Sequence, residues 1–335
     1  MNTNCHISGL ASFIPEAVLD NAQLEAMVKT SDDWIVSRTG IKERHIISED
    51  MNTSDMAVVA AQAALADANL RAEDVTHIFV ATCTPDHLCP NVACLVAHKL
   101  GLTARNGQMG RVMCMDLNAA CSGFVYGLEL ARAIMTLHPE SVMLLIGAEA
   151  LSRRLNYADP STCVLFGDGA GAVVIQSAPQ HSLWRVLDSS CCSDGEGSDL
   201  IHMGGGSSFR AKPGLPVPDD FFIRMNGREV FRQAVRAMAV ESLRMLKQHG
   251  LGIENLDLLI AHQANMRIIE AVGKRLEAQL DKIFVNVDRY GNTSAATLPI
   301  ALTDARSQGT LQPGMLVLLT TFGGGTTWGS ALLGA

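Results

Sequence analysis

The sequence predicts an α/β protein assembled from parallel β-α-β units and duplicated along its length. Two observations carry this: short apolar runs alternate with stretches of helical periodicity, and their order recurs in the second half. In the first half, His77 to Ala81 reads as a buried strand after an Ala-rich helix, Ser54 to Asn69. Val112 to Met115 reads as a second strand, leading into a helix from Ser122 to Met135. Val142 to Ile146 and Gly171 to Ile175 read as the third and fourth. In the second half, a helix over Val230 to Lys247 leads through Asn255-Leu256-Asp257 into a strand over Leu258 to Ala261. That echoes the first helix, Asp74-Val75-Thr76 and its strand. Ile283 to Val287 then reads as a strand ending at Asp288 before a small-residue helix, as Val112 to Met115 ends at Asp116. Leu316 to Leu319 is expected to run into a Gly-rich turn and a last strand, Ser330 to Leu333.

The expected division is therefore a first half at 1–178, an insertion or lid at 179–224 and a second half at 225–335. The middle piece contains Ser189 to Asp220, rich in Gly, Ser, Pro and Asp, and structureless stretches of that length are usually functional or disordered. A chain of 335 residues, 48% apolar, is long enough to bury a large core. A net charge of −8 without a run of Lys or Arg argues against nucleic acid as a partner. No segment reaches about 18 consecutive apolar residues, so no membrane span is expected. Met1 to Leu10 lacks the charged and apolar regions of a secretory signal, and a cytoplasmic location is expected. The nine cysteines then read as free thiols. There is no C-x-x-C and no zinc spacing, so no metal site is expected.

In sheets of this kind ligands bind beyond the carboxyl ends of strands, which directs attention to three turns. Asp116-Leu117-Asn118-Ala119-Ala120-Cys121-Ser122-Gly123 places Cys121 between a strand and a helix. Unpaired N–H groups at a helix amino terminus favour a thiolate, and Ala119, Ala120 and Gly123 leave room at the sulfur. A buried packing cysteine is the ordinary alternative. Ile260-Ala261-His262-Gln263-Ala264-Asn265 ends a strand on a His suited to proton chemistry, where a hydrogen-bonded packing His is the alternative. Asp288-Arg289-Tyr290-Gly291-Asn292-Thr293-Ser294 carries Asn292, which alone reads as a helix cap. The Phe322-Gly323-Gly324-Gly325-Thr326-Thr327-Trp328 segment permits close backbone approach, and so N–H donors aimed at an oxyanion, or a plain tight turn. Gly167-Asp168-Gly169-Ala170-Gly171 opens a strand rather than a helix and is not a dinucleotide site.

Together these segments resemble the β-ketoacyl-ACP synthase III family of condensing enzymes. So do Thr30-Ser31-Asp32-Asp33-Trp34-Ile35-Val36-Ser37-Arg38-Thr39-Gly40-Ile41 and Phe166-Gly167-Asp168. The resemblance spans nearly the whole chain and implies a thiolase-like, duplicated αβαβα five-layer fold. It implies a triad of Cys121 as nucleophile with His262 and Asn292, and an oxyanion hole from the N–H groups of Cys121 and Gly324. It further implies that Trp34 and Arg38 flank the adenine and phosphate end of coenzyme A. Gly227, Phe231, Asn265 and Phe322 would line its channel, with Cys89 and Phe124 at the acyl tunnel. Acyl-CoA and acyl carrier protein are the implied partners, a homodimer the implied assembly, and no metal or bound organic cofactor is implied. One position departs from the family pattern: Pro160 precedes Ser161-Thr162 where many members carry an Arg, leaving open how adenine is stacked.

Other functions remain open at this level: a specialised-metabolism synthase, a head-to-head condensing enzyme, or a non-catalytic partner subunit. The last would usually lack the nucleophile that this chain keeps. A thiolase would need a second catalytic cysteine in place of Asn292. Arg267, Lys274 and Arg275 recur on one stripe of the helix after His262, which reads as a docking patch for an acidic carrier protein or as a plain solvated helix face. Cys89, smaller than the aromatic of acetyl-selective members, implies acceptance of primers longer than acetyl.

Overall fold

The computed structural model describes residues 4–102, 111–206 and 219–335. In chain order the first half carries β1 (His6–Phe13), β2 (Ala17–Asp20), α1 (Asn21–Met27), α2 (Asp32–Thr39), β3 (Glu43–Ile46) and α3 (Thr53–Asp67). It continues with β4 (His77–Ala81), α4 (Val92–Lys99), β5 (Met113–Leu117), α5 (Gly123–Leu137), β6 (Val142–Ala150) and β7 (Asp168–Gln176). The rest carries β8 (Trp184–Ser193), β9 (Ile201–His202), β10 (Arg224–Met225), α6 (Gly227–Gln248) and β11 (Leu258–Ala261). It ends with α7 (Met266–Leu276), α8 (Val287–Tyr290), α9 (Thr297–Ser307), β12 (Val317–Gly323) and β13 (Thr327–Gly334).

Nine strands form one sheet in the order β11-β12-β13-β8-β1-β7-β6-β4-β5. The pairing reads alike from both edges. β5, β4 and β6 are parallel, and β6, β7 and β1 antiparallel. From the other edge β11 and β12 are parallel, and β12, β13 and β8 antiparallel. β1 and β8 join the halves through a short antiparallel register at His6–Arg185 and Ile7–Trp184.

The period of two along each strand builds the layers. Phe79, Leu145 and Val173 from one half, and Ile260, Leu319 and Leu333 from the other, meet around the residues of α5 and α9. The alternate positions Ile78, Leu144 and Val174 pack against α3 and α4. Leu259, Leu318 and Leu332 pack against α6 and α7. Both faces of the strands are thus buried, which is why they read as unbroken apolar runs. The result is the five-layer αβαβα arrangement, with the parallel strands of both halves directed at one region.

Two expectations are corrected. Ile283 to Val287 is not a strand: only Ile283 bridges to Leu259, and Val287 opens α8. The Gln263 side chain occupies the backbone there, accepting from Asn286 N (2.9 Å) and Val287 N (3.2 Å) and donating to the Phe284 carbonyl (3.2 Å). Nor is 179–224 wholly an insertion, because Trp184–Ser193 is a strand of the main sheet. Its polar residues have partners: Arg132 pairs with Asp188 at 2.9 Å and donates to the Ser189 hydroxyl at 3.0 Å. Residues 207–218 of that region lie outside the described residues.

Candidate active site

Cys121 lies on a single turn, Ala120–Ser122, directly before α5 and four residues beyond β5. The turn is tied to the second half. Thr327 Oγ1 donates to the Ala119 carbonyl (2.8 Å) and Thr321 Oγ1 to the Cys121 carbonyl (3.0 Å). The β12–β13 connection comes so close that a Cβ on residue 323 would lie 2.7 Å from the Cys121 amide nitrogen, so glycine is required there. Burial pushes the Cys121 thiol up to about 12; the Ser294 hydroxyl opposes that rise and Glu149 adds to it. Against the expectation of a ready thiolate, the resting group is a neutral thiol, and the helix amino terminus acts in the opposite direction.

His262 follows β11 by one residue and is buried. Its Nδ1 lies 2.7 Å from Thr297 Oγ1 at the start of α9. Burial holds the imidazole down to about 3, so it is neutral at physiological pH. Asn292 is reached through Gly291, whose φ of +63° suits a residue without a side chain. The Asn292 backbone pairs with the segment after α5 and β6: its N–H donates to Leu165 O (2.8 Å) and its carbonyl accepts from Gly167 N (3.1 Å). The Asn292 Oδ1 accepts from Ser294 N (2.8 Å), which leaves the amide nitrogen as the free donor end.

Two cavities meet at Cys121. The first, about 530 Å³, is lined by Cys121, His262 and Asn292 together with Trp34, Arg38, Gly227, Phe231, Asn265 and Phe322. Trp34 stays 42% exposed, with the Arg38 guanidinium 5.9 Å from its ring centre. Asn265 caps α7 through its Oδ1 (2.9 Å to Arg267 N) and donates to the Arg38 carbonyl (3.1 Å). The second cavity, about 790 Å³, is lined by Cys121, Cys83, Leu88, Ile201, Ser294 and Gly324 among others, and shares Cys121, Phe166 and Ile201 with the first.

Some expected residues stand elsewhere. Phe124 is fully buried in the central core and lines neither cavity; on α5 it packs among the residues of that core. Cys89 is exposed and likewise lines neither, although its neighbours Asp86, His87 and Leu88 line the second. Arg267, Lys274 and Arg275 are exposed on α7, but Arg267 also lines the first cavity, 5.7 Å over Phe231, and acidic Glu270 is exposed on the same helix. Ser161 lines the first cavity beside Arg228, a cation that the sequence reading did not single out. Also missed were Thr297 and Gly323. Their roles depend on contacts across the fold, and nothing in their local spacing marks them. A buried Glu149, held by Thr84 Oγ1 at 2.6 Å, was missed for the same reason.

The chain matches the family model described as 3-oxoacyl-[acyl-carrier-protein (ACP)] synthase III over residues 115–195, and that of its C-terminal region over 246–335. It is 53% identical to the β-ketoacyl-[acyl-carrier-protein] synthase III of Oleidesulfovibrio alaskensis over 335 residues, covering 99% of each chain. Among solved structures it is similar to the 3-oxoacyl-[acyl-carrier-protein] synthase III of Aquifex aeolicus, with TM-score 0.88 and 41% identity, over 99% of this chain and 100% of that one. The corresponding enzyme of Thermus thermophilus gives TM-score 0.89 and 39% identity over 98% and 99%.

Proposed function

The chain belongs to the 3-oxoacyl-[acyl-carrier-protein] synthase III family, and from that premise we propose how its own residues divide the chemistry. It is an acyl-transferring condensing enzyme that initiates fatty acid synthesis, with acyl-CoA and acyl carrier protein thioesters as substrates. In the proposed first half-reaction, Cys121 sulfur attacks the acyl-CoA thioester carbon. The thiol proton leaves with the CoA sulfur, and the acyl group stays on Cys121. The N–H groups of Cys121 and Gly324 hold the oxyanion, and donors of this kind typically contribute about 10²–10³-fold each. In the second, malonyl-ACP loses CO₂, and its thioester oxygen takes up the enolate charge against Nε2–H of His262 and the amide of Asn292. The carbanion attacks the acyl carbon and breaks its bond to sulfur, giving 3-oxoacyl-ACP and the Cys121 thiolate, which takes a proton from solvent to return to the thiol. No step calls on a metal or a bound organic cofactor.

One observation carries this division: Cys121 from the first half and His262 and Asn292 from the second line one cavity, continuous with the six residues expected to hold coenzyme A. Trp34 and Arg38 at its mouth are proposed to meet the adenine and phosphates, with Gly227, Phe231, Asn265 and Phe322 along the channel. The second cavity, which Cys121 also lines, is proposed to take the acyl chain. Its volume of about 790 Å³ supports primers longer than acetyl. The same proposal includes a division into halves at 1–178 and 225–335, with the strand Trp184–Ser193 of the stretch between them in the main sheet, carrier-protein docking on α7, cytoplasmic action and a homodimer. The edge strand β5, with Met113 half exposed, supports the dimer. No helix among the described residues is long and apolar enough to cross a membrane.

The test is direct. Incubation with acyl-CoA is expected to leave an acyl adduct on the Cys121 peptide by mass spectrometry. Added malonyl-ACP should discharge it as 3-oxoacyl-ACP, and Cys121→Ser should do neither. An adduct on another cysteine, with Cys121 unmodified, would overturn the assignment.

A further inference from the structure

His262 and Thr297 are both buried, at 3% and 2% exposure. Among the described residues, the Thr297 hydroxyl is the only side chain hydrogen-bonded to the imidazole, at 2.7 Å from Nδ1. The other nitrogen, Nε2, is left for the cavity that His262 lines. No acidic group contributes to the His262 environment, so the ring is neutral and carries one proton. Which nitrogen holds it decides what the residue can do: Nε2–H donates to a thioester oxygen, whereas a bare Nε2 repels it.

The Thr297 hydroxyl also has one proton and two acceptors in reach, His262 Nδ1 at 2.7 Å and the Ser294 carbonyl at 2.9 Å. These compete, but not equally. The Ser294 carbonyl already accepts the Thr297 backbone N–H, so losing the hydroxyl leaves it paired. In the competing arrangement the ring donates Nδ1–H to the hydroxyl and the hydroxyl donates to the Ser294 carbonyl, which leaves Nε2 as a bare acceptor facing the cavity. An enolate donor at Nε2 therefore requires the hydroxyl proton on Nδ1.

We propose that Thr297 donates its proton to His262 Nδ1 and thereby sets the Nε2–H tautomer that the enolate step needs. Thr297 is a positioning residue: it touches no substrate and acts through His262. A corollary is that His262 is not the base that ionises Cys121, because the nitrogen facing the cavity already holds a proton. The thiol proton passes to the departing CoA sulfur instead. The inference rests on the proposed role of His262 in decarboxylation.

The test measures the two half-reactions separately in the full chain: CoA release on acylation, and CO₂ release from malonyl-ACP. Thr297→Val is expected to lower kcat for decarboxylation roughly ten- to hundredfold, less than the penalty for a mis-set tautomer in a serine protease triad. The acylation rate should stay within about twofold, since that half-reaction does not use the imidazole proton under this proposal. Thr297→Ser, which keeps the hydroxyl, should restore decarboxylation. Nitrogen-15 NMR of labelled histidine should show Nε2 protonated in the parent and a changed tautomer in Thr297→Val. A parent protonated at Nδ1, unchanged decarboxylation in Thr297→Val, or equal loss of both half-reactions with no rescue by Ser would each overturn the proposal. The reading beneath it fails differently: Asn292→Ala would then retain decarboxylation whatever Thr297 does.

Discussion

At the scale of single residues, Cys121 is held between opposing influences: exclusion from water raises its pKa, and the amino end of α5 lowers it. With burial pushing the thiol to about 12, the thiolate fraction should rise about tenfold per pH unit through the neutral and alkaline range. Iodoacetamide labelling of the Cys121 peptide is therefore expected to keep accelerating beyond pH 9. A plateau for Cys121 below pH 7 would show that the helix terminus outweighs burial. The turns that carry Cys121, His262 and Asn292 were legible in the sequence, but each residue alone admitted a packing or capping part, and only the resemblance joined them as a triad. Thr297 and Gly323 were not legible. A threonine opening a helix and a glycine in a glycine run look ordinary until the fold brings His262 Nδ1 and the Cys121 amide against them. Phe124, placed at the acyl tunnel by the resemblance, is buried in the central core, because which side of α5 a residue occupies is set by packing.

At the scale of elements, α7 presents its two ends to different surroundings. Its amino end, capped by Asn265 and bonded to the Arg38 carbonyl, helps shape the first cavity. Its carboxyl end bears Lys274 and Arg275, which complement the helix dipole and stand exposed. Because Arg267 lines the cavity, charge reversal there would disturb both substrates. Lys274→Glu isolates docking. It is expected to raise KM for malonyl-ACP several-fold in low salt, with a smaller effect as salt rises, and to leave KM for acyl-CoA unchanged. Equal effects on both substrates would remove the docking role. Asn265→Ala should instead raise KM for acyl-CoA and cost about 1 kcal/mol of stability through the lost cap, read by denaturant unfolding. Undiminished acyl-CoA binding would limit Asn265 to a structural part. The buried strands His77–Ala81 and Leu258–Ala261 were legible to the residue, since both faces are apolar and the runs are sharply bounded. β8 was hidden because Asp188 to Ser193 is polar, its side chains taken up by Arg132, Arg244 and neighbouring strands. Ile283 to Val287 looked like a strand because hydropathy cannot register that Gln263 fills the hydrogen-bonding positions of a neighbour.

At the scale of the whole molecule, duplication places the parallel strand ends of both halves around one site, and two cavities open from it. The second cavity adjoins the loop at Asp86 to Leu88, where Leu88 is 80% exposed, as expected if a second protomer covers it in the proposed homodimer. Cys89→Phe should then shift kcat/KM towards acetyl-CoA, since each buried methylene of a longer primer is worth about 0.8 kcal/mol. An unchanged chain-length profile would separate this loop from primer selection. The recurring order of segments was legible in the sequence. The five layers came from the resemblance alone, because which face of a strand meets which helix is fixed only by packing, and they are met in the structure. The central claim is that the halves divide the chemistry, the first supplying the acyl carrier Cys121 and the second the enolate donors His262 and Asn292. It is tested most directly by Asn292→Ala, following acyl-Cys121 by mass spectrometry and CO₂ release from malonyl-ACP in the same protein. The expected result is acylation within about twofold of the parent, with decarboxylation down by about 10²-fold or more. Equal loss of both half-reactions in a folded variant would contradict it.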